Sequence, residues 1–446
     1  MERTVYGDLL RWKSQARRKP LVLQGVRQCG KTYALKRLGS EHFRQTAYFN
    51  FEQDPSLCDV FDYDFNTSRI LRELSVIKGY GEIDLTTTLV IFDEIQACPK
   101  AITSLKYFCE EKPEMYLSAA GSLLGPAISH HNISFPVGKV TFLRMYPLSF
   151  DEFAMACGLE REMALLAECA PDRPVPAPIA ERMTDACRRF MAIGGMPEAV
   201  STWISTHDYT AVDKVLGDIL QSYANDFGKY LSADDALKVG WIWDSIPVQL
   251  AKENNKWVFS HVKKGKRAAE LENALQWLVK SDQIFTLSMV GNPGLPLSFY
   301  SDTTYFKVYL SDVGLLRMRA GLTAQSVIEE SPLYTNFKGA MTENYVMNEL
   351  LKGGHTPYFW RSQNEAEVDF IVECGERIVP IEVKSDTNTR AKSYLTYCKR
   401  YCPQVGVRLS MKNVGDNRVG DTLSLSLPLY KTPWLRAIIA RCVSTE

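Results

Sequence analysis

The sequence predicts an α/β protein with a parallel sheet at its core, then a helical region and more α/β structure. Three observations lead to this prediction. A short apolar strand, 20–24, runs through a glycine-bounded loop into a segment with helical spacing, 32–38. A second apolar run, 89–92, has the continuous character of a strand buried on both faces of a parallel sheet. Strand and helix patterns recur after residue 268, so the 446 residues are predicted to form several domains.

Composition sets the broad class of protein. The hydrophobic fraction of 46% and charged fraction of 23% are typical of a globular protein, and a net charge of zero gives no general argument for a nucleic-acid partner. No apolar run approaches the ~20 residues of a membrane span, and the first residues lack a secretory pattern. The eleven cysteines are scattered and the histidines show no metal-ligand spacing. We therefore expect a cytoplasmic protein with free thiols and no membrane contact.

The loop 25–32 matches the pattern G-x-x-x-x-G-K-[ST] between a strand and a helix, which is the context that a phosphate-binding loop requires. Its backbone N–H groups are expected to surround phosphate oxygens. We expect Lys31 to reach the β- and γ-phosphates of ATP and Thr32 to ligate Mg²⁺. The alternative is a chance match in a glycine-containing turn. The predicted nucleotide-binding residues are Gly25, Val26, Arg27, Gln28, Cys29, Gly30, Lys31 and Thr32.

Acidic and polar residues follow two further predicted strands. Asp93 and Glu94 end the run 89–92, at the sheet edge where parallel sheets bind ligands. Asp93 is expected to hold Mg²⁺ and Glu94 to polarise the attacking water. Strands 46–51 and 115–120 are predicted in the same sheet, and the second leads to Ser122. Ser122 is a candidate sensor of the γ-phosphate, and a serine in a tight turn is the alternative.

Several motifs carry a family resemblance over nearly the whole chain. GVRQCGKT, LVIFDEIQACPKAITSLK, AAGSLLG and MYPLSFDEF, followed by GGMPEAV and DILQSY, resemble a bacterial and archaeal branch of the AAA-type P-loop ATPases. The resemblance implies an AAA-like core, a helical region and a C-terminal domain of unknown function. It also implies a possible homo-oligomer in which an arginine from a neighbouring subunit completes the site. This sequence has Gly138-Lys139 where the family often has Gly-Arg, so Arg144 is the candidate, and an ordinary surface arginine is the alternative.

The middle of the chain begins with a proline-rich connector, 171–178, that cannot be helix interior. Helical structure is predicted to about residue 245. A helix at 268–280, a strand at 283–290, a turn at 291–294 and a strand at 306–310 outline a winged helix-turn-helix. A basic run precedes it, which could contact a DNA backbone or form a solvated face, and winged helices also dock proteins. The basic residues are Lys252, Lys256, His261, Lys263, Lys264, Lys266 and Arg267, with Glu253 among them.

The C-terminal region carries a second constellation. Strand 365–372 holds Asp369, a turn follows at Gly375-Glu376, and strand 378–384 holds Glu382 and Lys384. Glu382 and Lys384 share one face of their strand, because residues two apart point the same way. The pattern D-x(12)-E-x-K is similar to that of the restriction-endonuclease-like (PD-(D/E)xK) fold.

That similarity implies that Asp369 and Glu382 bind Mg²⁺, helped by Glu343 from a preceding helix. Lys384 is expected to orient the attacking water and stabilise the scissile phosphate. Alternating charges on an exposed strand are the alternative explanation. Arg361 and Gln363 could join a DNA-facing surface, although a turn also explains them.

These predictions give four domains: an AAA-like ATPase core at 1–155, a helical lid region at 156–245, a winged-helix-like domain at 246–330 and a nuclease-like domain at 331–446. The first functional hypothesis is magnesium-dependent ATP hydrolysis coupled to binding or cleavage of nucleic acid, with DNA expected. The second is an ATP-controlled switch or interaction protein whose C-terminal fold docks a partner protein. A third is a phosphotransfer kinase, although the paired acids at 93 and 94 favour hydrolysis.

Overall fold

The computed structural model describes residues 1–126, 136–168, 173–252, 256–329, 331, 337–363, 366–385 and 391–444, with the backbone alone at 416, 417, 443 and 444. The predicted segments that include residues 171–172, 253 and 365 therefore lie partly outside the described residues. The chain forms two compact units. The N-terminal unit comprises Glu2–Pro147 and Trp277–Gln283, and the C-terminal unit comprises Leu148–Gln276 and Ile284–Glu446 together with Met1.

The N-terminal unit is built on a five-stranded sheet in which every pair of neighbours is parallel, in the order β2-β3-β4-β1-β5. All six residues of β3 are buried, as the continuous apolar run predicts. The α/β fold with a parallel sheet core is therefore confirmed. The strands are β1 (Leu21–Gln24), β2 (Gln45–Asn50), β3 (Thr88–Asp93), β4 (Tyr116–Gly121) and β5 (Thr141–Arg144).

Helices pack on this sheet through one aromatic-rich core. The ring of Phe92 in β3 makes edge contacts with Phe49, Phe51, Phe61 and Phe108. These contacts hold β3 against its neighbours and so fix the acidic residues that follow it. The helices are α1 (Thr4–Ser14), α2 (Lys31–His42), α3 (Thr67–Lys78) and α4 (Pro99–Glu111), with short 3-10 turns at Pro55–Phe61 and Ile95–Ala97.

The C-terminal unit begins with a group of helices. Buried polar groups tie them together. Asp312 accepts hydrogen bonds from the backbone of Gly195 (2.6 Å) and Leu315 (3.0 Å), and Glu349 accepts one from Phe150 N (3.2 Å). The helices that precede the sheet in the sequence are α5 (Phe150–Ala156), α6 (Glu160–Glu168), α7 (Ala177–Ile193), α8 (Pro197–Thr206), α9 (Tyr209–Tyr230), α10 (Ala233–Leu250) and α11 (Ala268–Lys280). The end of α11, from Trp277, belongs to the N-terminal unit.

A mixed eight-stranded sheet forms the rest of this unit, in the order β12-β13-β11-β10-β9-β8-β6-β7. The strands are β6 (Ile284–Val290), β7 (Ser301–Leu310), β8 (Tyr358–Arg361), β9 (Glu367–Cys374), β10 (Arg377–Val383), β11 (Val405–Ser410), β12 (Gly415–Val419) and β13 (Thr422–Pro428). The remaining helices are α12 (Val313–Arg319), α13 (Ala324–Ile328), α14 (Lys338–Lys352), α15 (Lys392–Tyr401) and α16 (Leu435–Ser444).

Two features differ from the predicted domain layout. The strands predicted as a wing, β6 and β7, do form an antiparallel pair, but β6 also pairs with β8 through Met289 and Val290. The predicted boundary at residue 330 thus divides strands that hydrogen bonding joins in one sheet. The two compact units divide between Pro147 and Leu148, a few residues before the predicted boundary at 155, because Phe150 and Phe153 pack on Phe190 of α7.

In the part of the chain that the structure describes, no helix combines the length and apolar character needed to cross a bilayer.

Candidate functional site

The phosphate-binding loop lies between β1 and α2. Its residues Gly25, Gln28 and Gly30 have positive φ angles of 148°, 65° and 99°. Gly30 is the N-cap of α2, so the loop ends at a helix N-terminus, where backbone N–H groups without intrahelical partners favour an anion. A Cβ atom at Gly25 would lie 2.0 Å from the carbonyl oxygen of Met145. Only glycine fits this first position.

Lys31 is 7% exposed, and its ammonium group lies against the loop. Its Nζ donates to the carbonyl oxygens of Gly25 and Val26, each at 2.9 Å. A phosphate bound in the loop would compete with these carbonyls for the same protons. Cys29 is fully buried, with its Sγ 3.4 Å from the Met145 carbonyl oxygen, which indicates a packing role for the thiol.

Asp93 joins the two halves of the predicted nucleotide site. Its Oδ2 accepts hydrogen bonds from Thr32 Oγ1 at 2.9 Å, across 61 residues of sequence, and from the Tyr48 hydroxyl at 2.6 Å. Asp93 is 3% exposed. The sequence did not predict Tyr48. Burial and the bond to Asp93 raise the pKa of Tyr48, so its hydroxyl stays a donor that orients the carboxylate.

Glu94 follows β3 in a left-handed backbone conformation, with φ of 49°. Strained backbone of this kind is common at functional sites. Its carboxylate accepts a hydrogen bond from Gln96 Nε2 at 2.6 Å. Burial raises the pKa of Glu94, and the charge on Asp93 adds to the effect, whereas the bond from Gln96 opposes it. A carboxylate with a raised pKa is better suited to take a proton from water. Gln96, two residues after Glu94, is a positioning residue that sequence reasoning missed.

Ser122 and Arg144 lie on opposite sides of the strand that leads into the loop. Ser122 follows β4, which pairs with β1 on one side, and it is 7% exposed. Arg144 ends β5 on the other side, opposite Gln24. The Arg144 guanidinium lies 3.4 Å from Asp282, and the Arg144 side chain is 49% exposed. The structure thus brings the sensor candidate and the arginine candidate to the same sheet edge within one chain.

A second candidate site lies on β9 and β10. Asp369 accepts a hydrogen bond from the backbone N–H of Val383 (2.7 Å), and Lys384 Nζ lies 2.8 Å from Glu382 Oε1. Glu382 Oε2 is buried, with no hydrogen-bond partner in the described part of the chain. Burial raises the pKa of Asp369 well above its usual range, and the charges of Glu382 and Glu343 raise it further. Burial also raises the pKa of Glu382, although Lys384 opposes this. The pair is therefore suited to a cation.

Glu343 lies on α14 and contacts two residues that the sequence analysis did not include. Its carboxylate accepts a hydrogen bond from the Tyr309 hydroxyl at 2.8 Å and lies 3.7 Å from Lys307 Nζ. The Lys307 side chain is 2% exposed and pairs with Glu367 at 2.6 Å. Burial opposes the charge on Lys307, but the facing carboxylates raise its pKa overall. The two-residue period of the predicted strands could have identified these residues, because Lys307 and Tyr309 share one face of their strand, as do Glu367 and Asp369.

Arg361 and Gln363 have different positions. Arg361 ends β8, contacts the Tyr305 hydroxyl and lies 3.7 Å from Glu367 Oε2, so it belongs to the edge of the acidic cluster. Gln363 is exposed in the turn that follows.

Among the described residues, the acidic cluster does not form a metal site of three converging ligands. Over the residues with described placement, no group of three or more His, Cys, Asp and Glu side chains is arranged to hold a metal ion. The charge of Glu343 raises the pKa of both Asp369 and Glu382, but the three carboxylates do not meet at one point. A bound cation would require at least one of these side chains to turn.

Some basic side chains of the run 252–267 are exposed, and others contact neighbouring residues. Lys264 is exposed, whereas Lys266 Nζ lies 2.7 Å from Glu270 and Lys252 Nζ lies 2.9 Å from His261 Nδ1. Two further ammonium groups lie over aromatic rings: Lys256 over Tyr305 at 3.7 Å and Lys263 over Trp241 at 5.2 Å. Glu253 lies outside the described residues.

Three family models match consecutive parts of the chain. Residues 17–154 match an AAA domain. Residues 184–326 match the domain of unknown function DUF8612, and residues 338–430 match the domain of unknown function DUF4143. Together with the loop geometry, the first match supports an AAA-type P-loop ATPase in the N-terminal part of the chain.

Individual proteins match either a short part of this chain or most of it at low sequence identity. The uncharacterized proteins Mb2031c of Mycobacterium bovis and Rv2008c of Mycobacterium tuberculosis are each 34% identical over 80 residues, which is 18% of this chain and 17% of theirs. The matched region thus covers less than a fifth of the length of each of these relatives. A solved Walker-type ATPase of Pyrococcus abyssi, PABY2304, is 14% identical with a TM-score of 0.44, over 71% of this chain and 95% of its own.

Proposed function

We propose that the protein is a magnesium-dependent ATPase whose C-terminal unit binds or cleaves nucleic acid, with DNA expected. The hydrogen bond between Thr32 and Asp93 carries the first part of this proposal. It brings together the hydroxyl and carboxylate that would hold Mg²⁺, beside a loop shaped for phosphate. Bound Mg²⁺ would neutralise charge on the β- and γ-phosphates.

The roles of the remaining residues follow from their positions. The backbone N–H groups of residues 25–32 bind phosphate oxygens, and Lys31 leaves the loop carbonyls to donate to the β- and γ-phosphates. Glu94, oriented by Gln96, polarises the attacking water and takes its proton. Ser122 contacts the terminal phosphate from the neighbouring strand.

Lys31→Ala and Glu94→Gln test the ATPase. We expect Lys31→Ala to lose ATP binding, because the phosphate charge loses its partner. Glu94→Gln should bind ATP normally but turn over about 10²–10⁴-fold more slowly, because the proton acceptor is gone. Calorimetry gives the affinity and phosphate release gives the rate. Normal turnover in both variants would remove the ATPase proposal.

In the C-terminal cluster, Asp369 and Glu382 are the residues that would hold Mg²⁺, with Glu343 as a further ligand. Lys384 would orient water and stabilise the charge that develops on a scissile phosphate. The unpartnered Oε2 of Glu382 and the raised pKa values of both acids support this assignment. Lys263, Lys264 and Lys266 are the proposed contacts to the phosphate backbone.

Paired substitutions test the nucleic-acid part. Asp369→Ala with Lys384→Ala should stop Mg²⁺-dependent cleavage of DNA or RNA while ATP hydrolysis continues.

Charge reversal at Lys263, Lys264 and Lys266 should weaken duplex binding and flatten its salt dependence. Unchanged affinity for duplex DNA would exclude this surface as a contact.

A second candidate function is an ATP-controlled switch whose C-terminal fold docks a partner protein. Two observations favour it: the three carboxylates of the cluster do not converge, and Asp369 is engaged by the backbone of Val383. If the wild-type protein cuts neither DNA nor RNA in Mg²⁺ or Mn²⁺, this alternative replaces cleavage.

A further inference from the structure

A short segment from late in the sequence lies at the edge of the ATPase sheet. Residues Trp277–Gln283 belong to the N-terminal unit. The carbonyl oxygen of Lys280 lies 2.3 Å from the position that a Cβ on Gly125 would take, just after β4. Asp282 contacts Arg144, the last residue of β5, at 3.4 Å. The segment therefore contacts the end of β5 and the residues that follow β4, and these are the two strands that flank β1, which leads into the phosphate-binding loop.

The carboxylate of this segment is paired with Arg144. Asp282 is 8% exposed and has a φ angle of 57°. Burial raises the pKa of Asp282, and the charges of Arg144 and Lys31 oppose this increase. Asp282 is thus an anion of the same chain that holds the guanidinium at the end of β5.

ATP brings a competing anion to this place. Lys31 has to turn from the loop carbonyls towards the β- and γ-phosphates. The half-exposed side chain of Arg144 belongs to the last residue of β5, opposite Gln24, the residue before the loop. A γ-phosphate between these cations repels the Asp282 carboxylate and removes its counter-charges. ADP keeps the β-phosphate that Lys31 binds but lacks the terminal phosphate, so the competition for Arg144 is specific to the triphosphate.

We propose that Arg144 binds the γ-phosphate of ATP in cis and that Asp282 holds Arg144 when no terminal phosphate is present. This inference rests on the proposed ATP binding, and it gives Arg144 and Asp282 roles in that binding. ATP exchanges the Arg144–Asp282 ion pair for an Arg144–phosphate contact, while the buried side chains of Trp277 and Leu278 keep the segment in the N-terminal unit.

Calorimetry with ATP and with ADP, each with Mg²⁺, tests the proposal on the full-length chain. Asp282→Asn should bind ATP about tenfold more tightly while ADP affinity stays near wild type, which lies within the usual range of coupling between sites. Asparagine tolerates the positive φ angle, so the backbone is kept. Arg144→Ala should bind ATP about tenfold more weakly, again with little change for ADP. Asp62→Asn, at an exposed aspartate of the same unit, is the matched control.

The ratio of ATP to ADP affinity decides the outcome. A ratio that stays at the wild-type value in both variants would overturn the proposal, as would equal losses for ATP and ADP, which indicate a purely structural role. The melting temperatures of the variants without nucleotide identify such a structural effect. If the wild-type protein binds no ATP at all, the proposed ATPase fails first and independently of this pair.

Discussion

Gly25 shows how a single residue sets the geometry of the phosphate-binding loop. Its φ angle of 148° and the carbonyl oxygen of Met145, 2.0 Å from a hypothetical Cβ, leave no room for a side chain. The loop therefore depends on close contact between its own start and the chain just after β5. The same contact places Cys29 in a buried position.

Gly25→Ala should disrupt the loop. We expect the free energy of unfolding to fall by about 1–3 kcal/mol, because the added methyl group forces the backbone apart, and ATP affinity should be lost. Gly81→Ala is the matched control, since a Cβ there would meet nothing within 4 Å. Thermal unfolding and calorimetry measure both effects. A Gly25→Ala variant with wild-type affinity would contradict this account of the loop.

Glu349 gives the C-terminal unit a pH-dependent stability. Burial raises the pKa of Glu349 to about 7, opposed by Lys352 and supported by Asp151, whereas its ordinary value is 4.5. Between these two values the folded chain binds more protons than the unfolded chain, so stability falls as pH rises. This decrease in the free energy of unfolding is complete above pH 7 and is on the order of 3 kcal/mol.

Glu349→Gln should flatten this dependence. The glutamine oxygen can keep the hydrogen bond from Phe150 N, the amide NH2 group replaces the oxygen that accepts from Lys352, and the side chain does not titrate. Urea unfolding at pH 5, 6, 7 and 8 measures the free energy, and the difference between wild type and variant isolates this group from other acids. Parallel curves for the two proteins would show that Glu349 is not the titrating group.

Among the secondary-structure elements, α14 serves two purposes with different faces. Glu343 near its start faces Tyr309 and Lys307, and Glu349 near its end accepts from the start of α5. Six residues at 100° each turn the helix by about 240°, which separates the two faces. One helix therefore positions a residue of the acidic cluster and also fixes the helical group.

Strand β7 contributes Lys307, the buried counter-charge of the acidic cluster. Lys307→Met should destabilise the C-terminal unit by about 3–5 kcal/mol, because Glu343 and Glu367 would lose their buried partner. Adding Glu367→Gln should restore part of the loss. Urea unfolding measures both variants, with the exposed Lys264→Met as control. If Lys307→Met is as stable as that control, the ion pairs are not important for the fold.

For the molecule as a whole, the two compact units do not follow the order of the sequence. The N-terminal unit takes Trp277–Gln283 from far along the chain, and Trp277 and Leu278 are 3% and 0% exposed. A fragment that ends at residue 147 lacks these buried apolar side chains. Its stability therefore depends on a segment that a boundary drawn from sequence order would omit.

A fragment of residues 1–147 should bind the dye ANS and melt at a lower temperature than the same fragment mixed with a peptide of residues 268–283. Burial of the peptide's apolar side chains is expected to supply the added stability. A peptide with Asp282→Asn and Leu278→Ala serves as control. Equal melting temperatures with and without the wild-type peptide would contradict the assignment of this segment.

The sequence by itself determined the parallel α/β core, the loop 25–32, the acids that follow β3, and the strands that carry Asp369 and Glu382. These features depend on local spacing: glycine positions, continuous apolar runs and the two-residue period of strands. Only the tertiary structure decided that β6 and β7 extend the C-terminal sheet, that Lys307 and Tyr309 face Glu343, and that Asp282 contacts Arg144. Such contacts join residues far apart in the chain, and the packing of whole elements, which no local pattern records, brings them together.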